Sequence, residues 1–234
     1  MPPAPFGDVY GGVYEPLTLL AHISAVTERI TLGTSVLILP LREPVLLAKQ
    51  LATLERLAPG RVILGAGVGW DREEFSALEI PFTERGARAD ELIELIAHLH
   101  GVGAGGFGGR FHRVGDGVFA PRPSTSVPLM VGGTSDAALR RAARVGDLWQ
   151  AYGLTPDEFR ALHTRLRTMA GERTVSAGTV ISAPPNMDAS QLAAVVEEWR
   201  AAGAEHLAIH PGGLQTAAER FSSLAERVPE LLVR

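Results

Sequence analysis

At 234 residues the chain suits one large domain spanning 1–234, slightly short of the roughly 250 residues of a closed eight-stranded β/α barrel. Apolar residues make up 46% and charged residues 21%, an ordinary balance for a globular protein, and a formal charge of −4 leaves no basic footprint for nucleic acid. There is no cysteine, which excludes disulfides, thiolate metal sites and cysteine nucleophiles.

No stretch has the unbroken apolar run of about 20 residues that a membrane span needs. The opening Met1-Pro2-Pro3-Ala4-Pro5-Phe6-Gly7 has neither a basic start nor an apolar stretch, so it reads as a loop rather than a signal peptide. The expectation is a cytoplasmic protein acting on a small molecule, with no membrane or nucleic-acid partner.

Pro16 to Glu28 reads as a helix, with Leu17, Leu20, Ala21 and Ser24 on one face. Ile30 to Leu39 is a near-continuous apolar and β-branched run stopped by Pro40, the pattern of a strand covered on both faces. Pro44 opens a helix whose Leu47, Leu51, Leu54 and Ala58 recur at helical spacing, ended by Pro59-Gly60. Val62 to Gly67 is a second buried strand. After a long connection a helix runs from Arg85 to His100; Gly101 to Gly109 reads as a mobile loop, and Phe111 to Ala120 as a short hairpin on the rim.

The alternation then resumes. Strands are predicted at Pro128–Val131, Asp147–Tyr152, Val175–Ser182 and His206–His210. Helices are predicted at Ser135–Arg144, Thr155–Ala170, Ala189–Ala202 and Ala217–Val228, the second of these opening on cap, proline and acidic signals together. Six strands alternating with helices mean a parallel α/β sheet, either doubly wound or an incomplete (β/α)8 barrel of the TIM type. The chain opens on a helix with no strand before it, which suggests that something upstream is missing.

Ligands of parallel sheets bind at the carboxyl ends of strands, and three such ends stand out. Gly33 to Pro44 is either a ligand-facing end or a plain buried strand with a proline-bounded turn. Gly65-Ala66-Gly67-Val68-Gly69-Trp70 either lets backbone approach a ligand closely or eases packing; with Trp70 in the place of a third glycine it is not the dinucleotide fingerprint. Val131-Gly132-Gly133-Thr134-Ser135 lies between a strand and a helix, where amides and the helix dipole suit an anion, although Ser135 also suits a plain N-cap.

In order and spacing, Tyr14–Leu20, Ala25–Thr34, Ala48–Leu54, Gly67–Trp70, Glu84–Arg88 and Val131–Gly133 resemble the luciferase-like monooxygenase superfamily, especially its coenzyme F420 (deazaflavin)-dependent branch. The resemblance implies a β/α barrel with a flavin-type cofactor at the strand ends. Ser35 and Val36 would lie against the ring, joined by a non-proline cis peptide. Val68 and Gly69 would line the cofactor, and Gly132, Gly133, Thr134 and Ser135 would hold the phosphate of its tail.

The chain departs from the pattern at several points. The family's first strand, first helix and second strand have no counterpart, and with them go an acidic residue and a histidine beside the ring. Trp70 stands where sugar-phosphate dehydrogenases of the branch place a catalytic glutamate, and Thr155 falls near an expected lysine, which disfavours a sugar-phosphate substrate. No proton donor is assigned. His210, at the end of the last strand, is either functional or a hydrogen-bonded rim residue; His98, His100 and His163 read as surface positions, and His22 is ambiguous. Arg85 and Arg88 could reach an anion, but salt bridging on a helix suits them better. No pairing of histidines and carboxylates has metal-ligand spacing, so no metal is expected.

The implied activity is hydride transfer between F420 and a small organic substrate. FMN with monooxygenase chemistry is the alternative, and a non-catalytic or truncated relative, or a start site placed too late, is a further one. An unclosed sheet edge would favour a homodimer.

Overall fold

The computed structural model describes residues 14–101, 103–184 and 187–210. Helix α1 (Pro16–Val26) starts where expected, with Pro16 in the first turn and Glu15 accepting from the Thr18 amide at 2.7 Å. It stops two residues early, because Thr27 is extended at φ −136° and ψ 150°.

The predicted strand from Ile30 to Leu39 is two short pieces, β1 (Leu32–Gly33) and β2 (Leu37–Ile38), followed by a 3-10 turn at Leu39–Leu41. Both pieces pair in parallel with β3 (Val62–Gly67), and α2 (Pro44–Leu57) connects them to it. Gly33 faces Ile63 while Leu37 faces Ala66, so four steps along one strand run beside three along the other. The extra residue is a bulge. Apolar β-branched composition reads as continuous strand and carries no sign of such an offset.

Two short segments depart from the prediction between β3 and the next sheet strand. An unpredicted helix α3 (Arg72–Ala77) begins on Asp71, whose carboxylate accepts from the Glu73 amide at 2.9 Å, and α4 (Arg85–Gly101) follows. The glycine-rich stretch supplies a strand, and the hairpin lies earlier than predicted: β4 (Phe107–Gly108) pairs antiparallel with β5 (Arg113–Val114), with a further bridge between Ala104 and Val118. Glu91 of α4 holds its turn, accepting from the amides of Arg110 at 2.6 Å, Phe111 at 2.9 Å and His112 at 2.6 Å. Glycine at 109 lets the Glu91 carboxylate come this close; a Cβ there would lie 2.3 Å from its carboxyl carbon and push it from the turn.

The remaining elements match the predicted order: β6 (Leu129–Gly132), α5 (Asp136–Val145), β7 (Leu148–Ala151), α6 (Pro156–Ala170), β8 (Ser176–Ser182), α7 (Ala189–Ala201) and β9 (His206–His210). Thr155 and Glu158 form the capping box that starts α6, so Thr155 has a structural role. The predicted helix Ala217–Val228 and the N-terminal loop lie outside the described residues.

In the sheet the order is β1, β3, β6, β7, β8, β9, all parallel, with β2 also on β3. Space follows sequence without the reversal that defines a doubly wound sheet. The fold is therefore of the β/α-barrel type, with six parallel strand positions.

The two faces of this sheet differ sharply. Leu64, Ala66, Leu129, Val131, Trp149, Ala151, Ala177 and Ile181 belong to the core under the helices. Trp149 stacks on Phe159 of α6 with ring centres 5.3 Å apart, and Trp199 of α7 meets Phe159 edge-on at 5.6 Å. By strand alternation the other face carries Ile63, Gly65, Gly67, Met130, Gly132, Leu148, Gln150, Ser176, Gly178, Val180 and His206. That inner face is rich in glycine and polar groups, and none of these residues joins the helix-side core.

Candidate functional site

The predicted residues gather at the carboxyl ends of β2, β3 and β6. Two features of the bulge build the floor of the site. Thr34, buried, replaces the missing ladder bonds: its Oγ1 donates to the Gly65 carbonyl at 2.8 Å and accepts from the Gly65 amide at 3.0 Å. The Ser35–Val36 peptide is cis. Val36 then leans across two neighbouring strand ends. A Cβ at Gly67 would lie 2.5 Å from Val36 Cγ2, and one at Gly132 would lie 2.8 Å from Val36 Cγ1. Glycine at 67 and 132 therefore makes room for Val36, a protein side chain, and leaves a low apolar platform with Val36 half-buried.

The other candidates divide. Val68 is half-buried and packs against the core. Gly69 is fixed by its φ of +80° and by packing, for a Cβ there would approach Ile38 and Phe75 to 2.8 Å. Ser35 and Ser135 are exposed, and Gly132, Gly133 and Thr134 are partly accessible.

The anion site proves narrower than its glycines suggest. The Gly133 amide donates to the Gln150 carbonyl at 3.1 Å, and its carbonyl accepts from Trp149 Nε1 at 2.8 Å. Gly133 is thus part of the sheet and turn, with φ +116°, and its amide is not offered to a ligand. Ser135 caps α5, its Oγ accepting from the Ala138 amide at 3.3 Å. Amides in the first turn after the cap have no helical acceptor, and such free amides with the helix dipole suit an anion. Arg165 of α6 pairs with Asp136 there at 2.8 Å, setting a guanidinium beside the only acidic residue of that turn.

The basic and imidazole candidates fall elsewhere. Arg85 clamps the loop after β3, donating to the Gly69 carbonyl at 3.2 Å and to Phe82 at 3.0 Å, so it is not a salt-bridge residue as predicted. Arg88 does pair with Glu84, at 3.0 Å. His22 and His210 are exposed. His98, His100 and His163 are half-buried rather than surface groups, because each packs against an aromatic ring: Phe107, Phe119 and Phe159 respectively. His100 Nε2 lies 2.9 Å from the Ala48 carbonyl, and burial pushes the His100 and His163 imidazoles below their ordinary range. Among the described residues no group of histidine and carboxylate side chains could hold a metal ion.

Gln150 and His206 escaped the reading of the sequence. Gln150 is 4% exposed, and among the described residues its Nε2 has no hydrogen-bond partner. His206 Nε2 is likewise buried without a partner among the described residues; its Nδ1 lies 3.4 Å from Ser176 Oγ, and burial lowers its pKa against the opposing pull of Glu205. A polar residue inside the short strand Leu148-Trp149-Gln150-Ala151 was the available signal. A shallow polar cleft of about 630 Å3 lies at the opposite end of the sheet, lined by His163, Arg167, Arg173 and Glu205. Its Val175 and Glu205 precede β8 and β9, the end from which ligand sites of this topology are absent.

The platform thus lies beside a helix N-terminus at the carboxyl ends of a sequentially ordered parallel sheet. Comparison with known proteins identifies the family. An uncharacterised protein of Mycobacterium tuberculosis is 39% identical over 158 residues, 68% of this chain and 54% of its own length. An F420-dependent glucose-6-phosphate dehydrogenase of Beutenbergia cavernae is 41% identical over 142 residues, covering 58% of this chain and 42% of its own. Pyrimidine monooxygenase RutA of Escherichia coli is 28% identical over 175 residues, 71% and 46% of the two chains. The chain thus spans about half the length of the curated relatives it matches. Among solved structures, an F420-dependent secondary alcohol dehydrogenase in complex with an F420-acetone adduct superposes with a TM-score of 0.78 at 15% identity, over 92% of this chain and 84% of that one. The monooxygenase RslO1 of Streptomyces bottropensis superposes with a TM-score of 0.65 at 24% identity, over 92% and 66%. The luciferase-like monooxygenase model matches residues 4–233, and the chain belongs to that family.

Proposed function

We propose that the chain is an oxidoreductase that binds coenzyme F420 and exchanges a hydride with a small organic substrate. The observation that carries this reading is the Val36 platform over Gly67 and Gly132, one strand away from the open start of α5. Ser35, Val36, Val68 and Gly69 would receive the ring, and Gly132, Thr134, Ser135 and the first turn of α5 the tail phosphate. Gly133 would shape the turn without giving its amide. The deazaflavin, when bound, supplies the hydride chemistry; the protein's part is position and exclusion of water. The helix start does the first by anchoring the anionic tail at a fixed distance from the platform. The platform does the second by presenting the apolar face of Val36 to the ring.

FMN in place of F420, with monooxygenase chemistry, is the second reading, favoured by the relatives named as monooxygenases. Fluorescence titration of the purified chain with F420 and with FMN separates the two. Tight binding of F420 with hydride exchange supports the first, binding of FMN alone supports the second, and binding of neither defeats both.

A further inference from the structure

The inner face of the sheet holds polar side chains that the platform does not use, Gln150, Ser176 and His206, and Gln150 stands nearest to it. Ala66 pairs with Val131, Gly132 with Gln150, Gln150 with Gly178, and Gly178 with His206. Gly67 follows Ala66 as Gly132 follows Val131, so one layer across the inner face reads Gly67, Gly132, Gln150, Gly178, His206. Neighbouring strands are about 4.8 Å apart, and Gln150 stands one strand beyond the glycine on which Val36 rests.

Both neighbours of Gln150 in this layer are glycines and offer no side chain to bond. Beyond Gly132 stands Val36, which is apolar. Over Gly178 lies the His206 ring, whose Nε2 would be 2.4 Å from a Cβ at 178 and itself has no partner. Gln150 therefore carries an amide nitrogen that is buried and has no hydrogen-bond partner among the described residues. Buried polar groups in native proteins are almost always satisfied, and an exception beside a ligand platform points to a partner that arrives with the ligand.

We infer that the Gln150 carboxamide hydrogen-bonds the pyrimidinedione edge of the cofactor ring lying on Val36, its amide hydrogens donating to a ring carbonyl. The inference rests on the proposed cofactor reading, and applies to F420 and FMN alike because both rings carry that edge. His206 closes the far side of the layer across Gly178 and sets where the ring ends.

The test uses the whole chain with Gln150→Met, which keeps length and removes the donors, and Gln150→Glu, which keeps shape and replaces them with acceptors. Expected for Gln150→Met is about tenfold weaker cofactor binding by fluorescence titration, a ligand-free melting temperature equal to or above that of the parent, and a bound-ring carbonyl band shifted to higher frequency in Raman spectra. Gln150→Glu weakens binding further at neutral pH. A parent protein that binds cofactor while Gln150→Met binds it equally well, with an unshifted carbonyl band, overturns this inference alone. A lower melting temperature in ligand-free Gln150→Met, with the carbonyl band unshifted, assigns Gln150 to packing and also overturns it. A parent protein that binds neither F420 nor FMN overturns the cofactor reading and this inference together.

Discussion

The Thr34 hydroxyl bonds Gly65 twice, donating to its carbonyl and accepting from its amide, and so closes the gap that the bulge opens between β1 and β2. Thr34→Val keeps the shape and leaves both buried groups of Gly65 unpaired. It should cost about 1–3 kcal/mol, while Thr34→Ser should cost less than half of that. Denaturant melts of the two variants check this, and equal losses would mean that the methyl packing, not the hydroxyl, holds the break.

Val36 and Gly132 should behave as a coupled pair. Gly132→Ala forces its Cβ to within 2.8 Å of Val36 Cγ1, and overpacking of this kind costs about 1–3 kcal/mol. Removing the γ carbons in Val36→Ala should return most of that stability in the double variant. A double-mutant cycle by thermal melting measures the coupling; simple additivity would refute the contact.

Glu55 links acid stability to the loop before β6. It is 1% exposed, and accepts from Ser124 N at 2.5 Å, Thr125 Oγ1 at 2.7 Å, Thr125 N at 3.2 Å and Gly60 N at 3.3 Å. Burial alone would raise its pKa, but these donors outweigh it and hold the carboxyl below the ordinary glutamate range. Since the folded value lies below the unfolded one, the stabilisation is full above about pH 4.3 and is lost as pH falls through the folded value. Glu55→Gln should lose about 2 kcal/mol at neutral pH and show a flatter decline in acid. Stability measured from pH 7 down to pH 3 reads both, and parallel curves for the two proteins would exclude Glu55 as a source.

Glu91→Ala should free the β4–β5 hairpin without unfolding the barrel. Three consecutive amides lose their acceptor, so hydrogen exchange at 110–112 should quicken by tenfold or more while that of β3 and β6 stays unchanged. Exchange that quickens everywhere would show that the hairpin is needed for the fold as a whole.

How much of this was legible beforehand follows from the range of each interaction. Helix starts were readable because their causes are local: Pro16 after Glu15, Pro44 after Glu43, Thr155 before Glu158. The parallel sheet followed from alternation, but its barrel order did not, since strand neighbours are a matter of tertiary choice. In the site, the Ser35–Val36 geometry entered through resemblance. The purpose of Gly67 and Gly132 could not, because it depends on a valine about 30 and about 95 residues away in the chain. Gly133 misled for the same reason: glycine next to a helix start suggests an open amide, and only the pairing with Gln150 shows that it is taken. The hairpin misled too, because Glu91, which accepts from the amides of its turn at 110–112, lies on a separate helix.

The extra residue between β1 and β2 also sets a parity. Leu32 and Leu37 are five positions apart, an odd spacing that would place them on opposite faces of an unbroken strand. Here both are buried on the helix side, opposite Val62 and Ala66, which are themselves an even number apart. Everything after the bulge is thus counted in a shifted frame. Deleting one residue from Thr34–Val36 would do more than remove part of the platform: it would turn Leu37 toward the inner face and Ile38 toward the core. This stretch should therefore tolerate changes of residue type far better than changes of length.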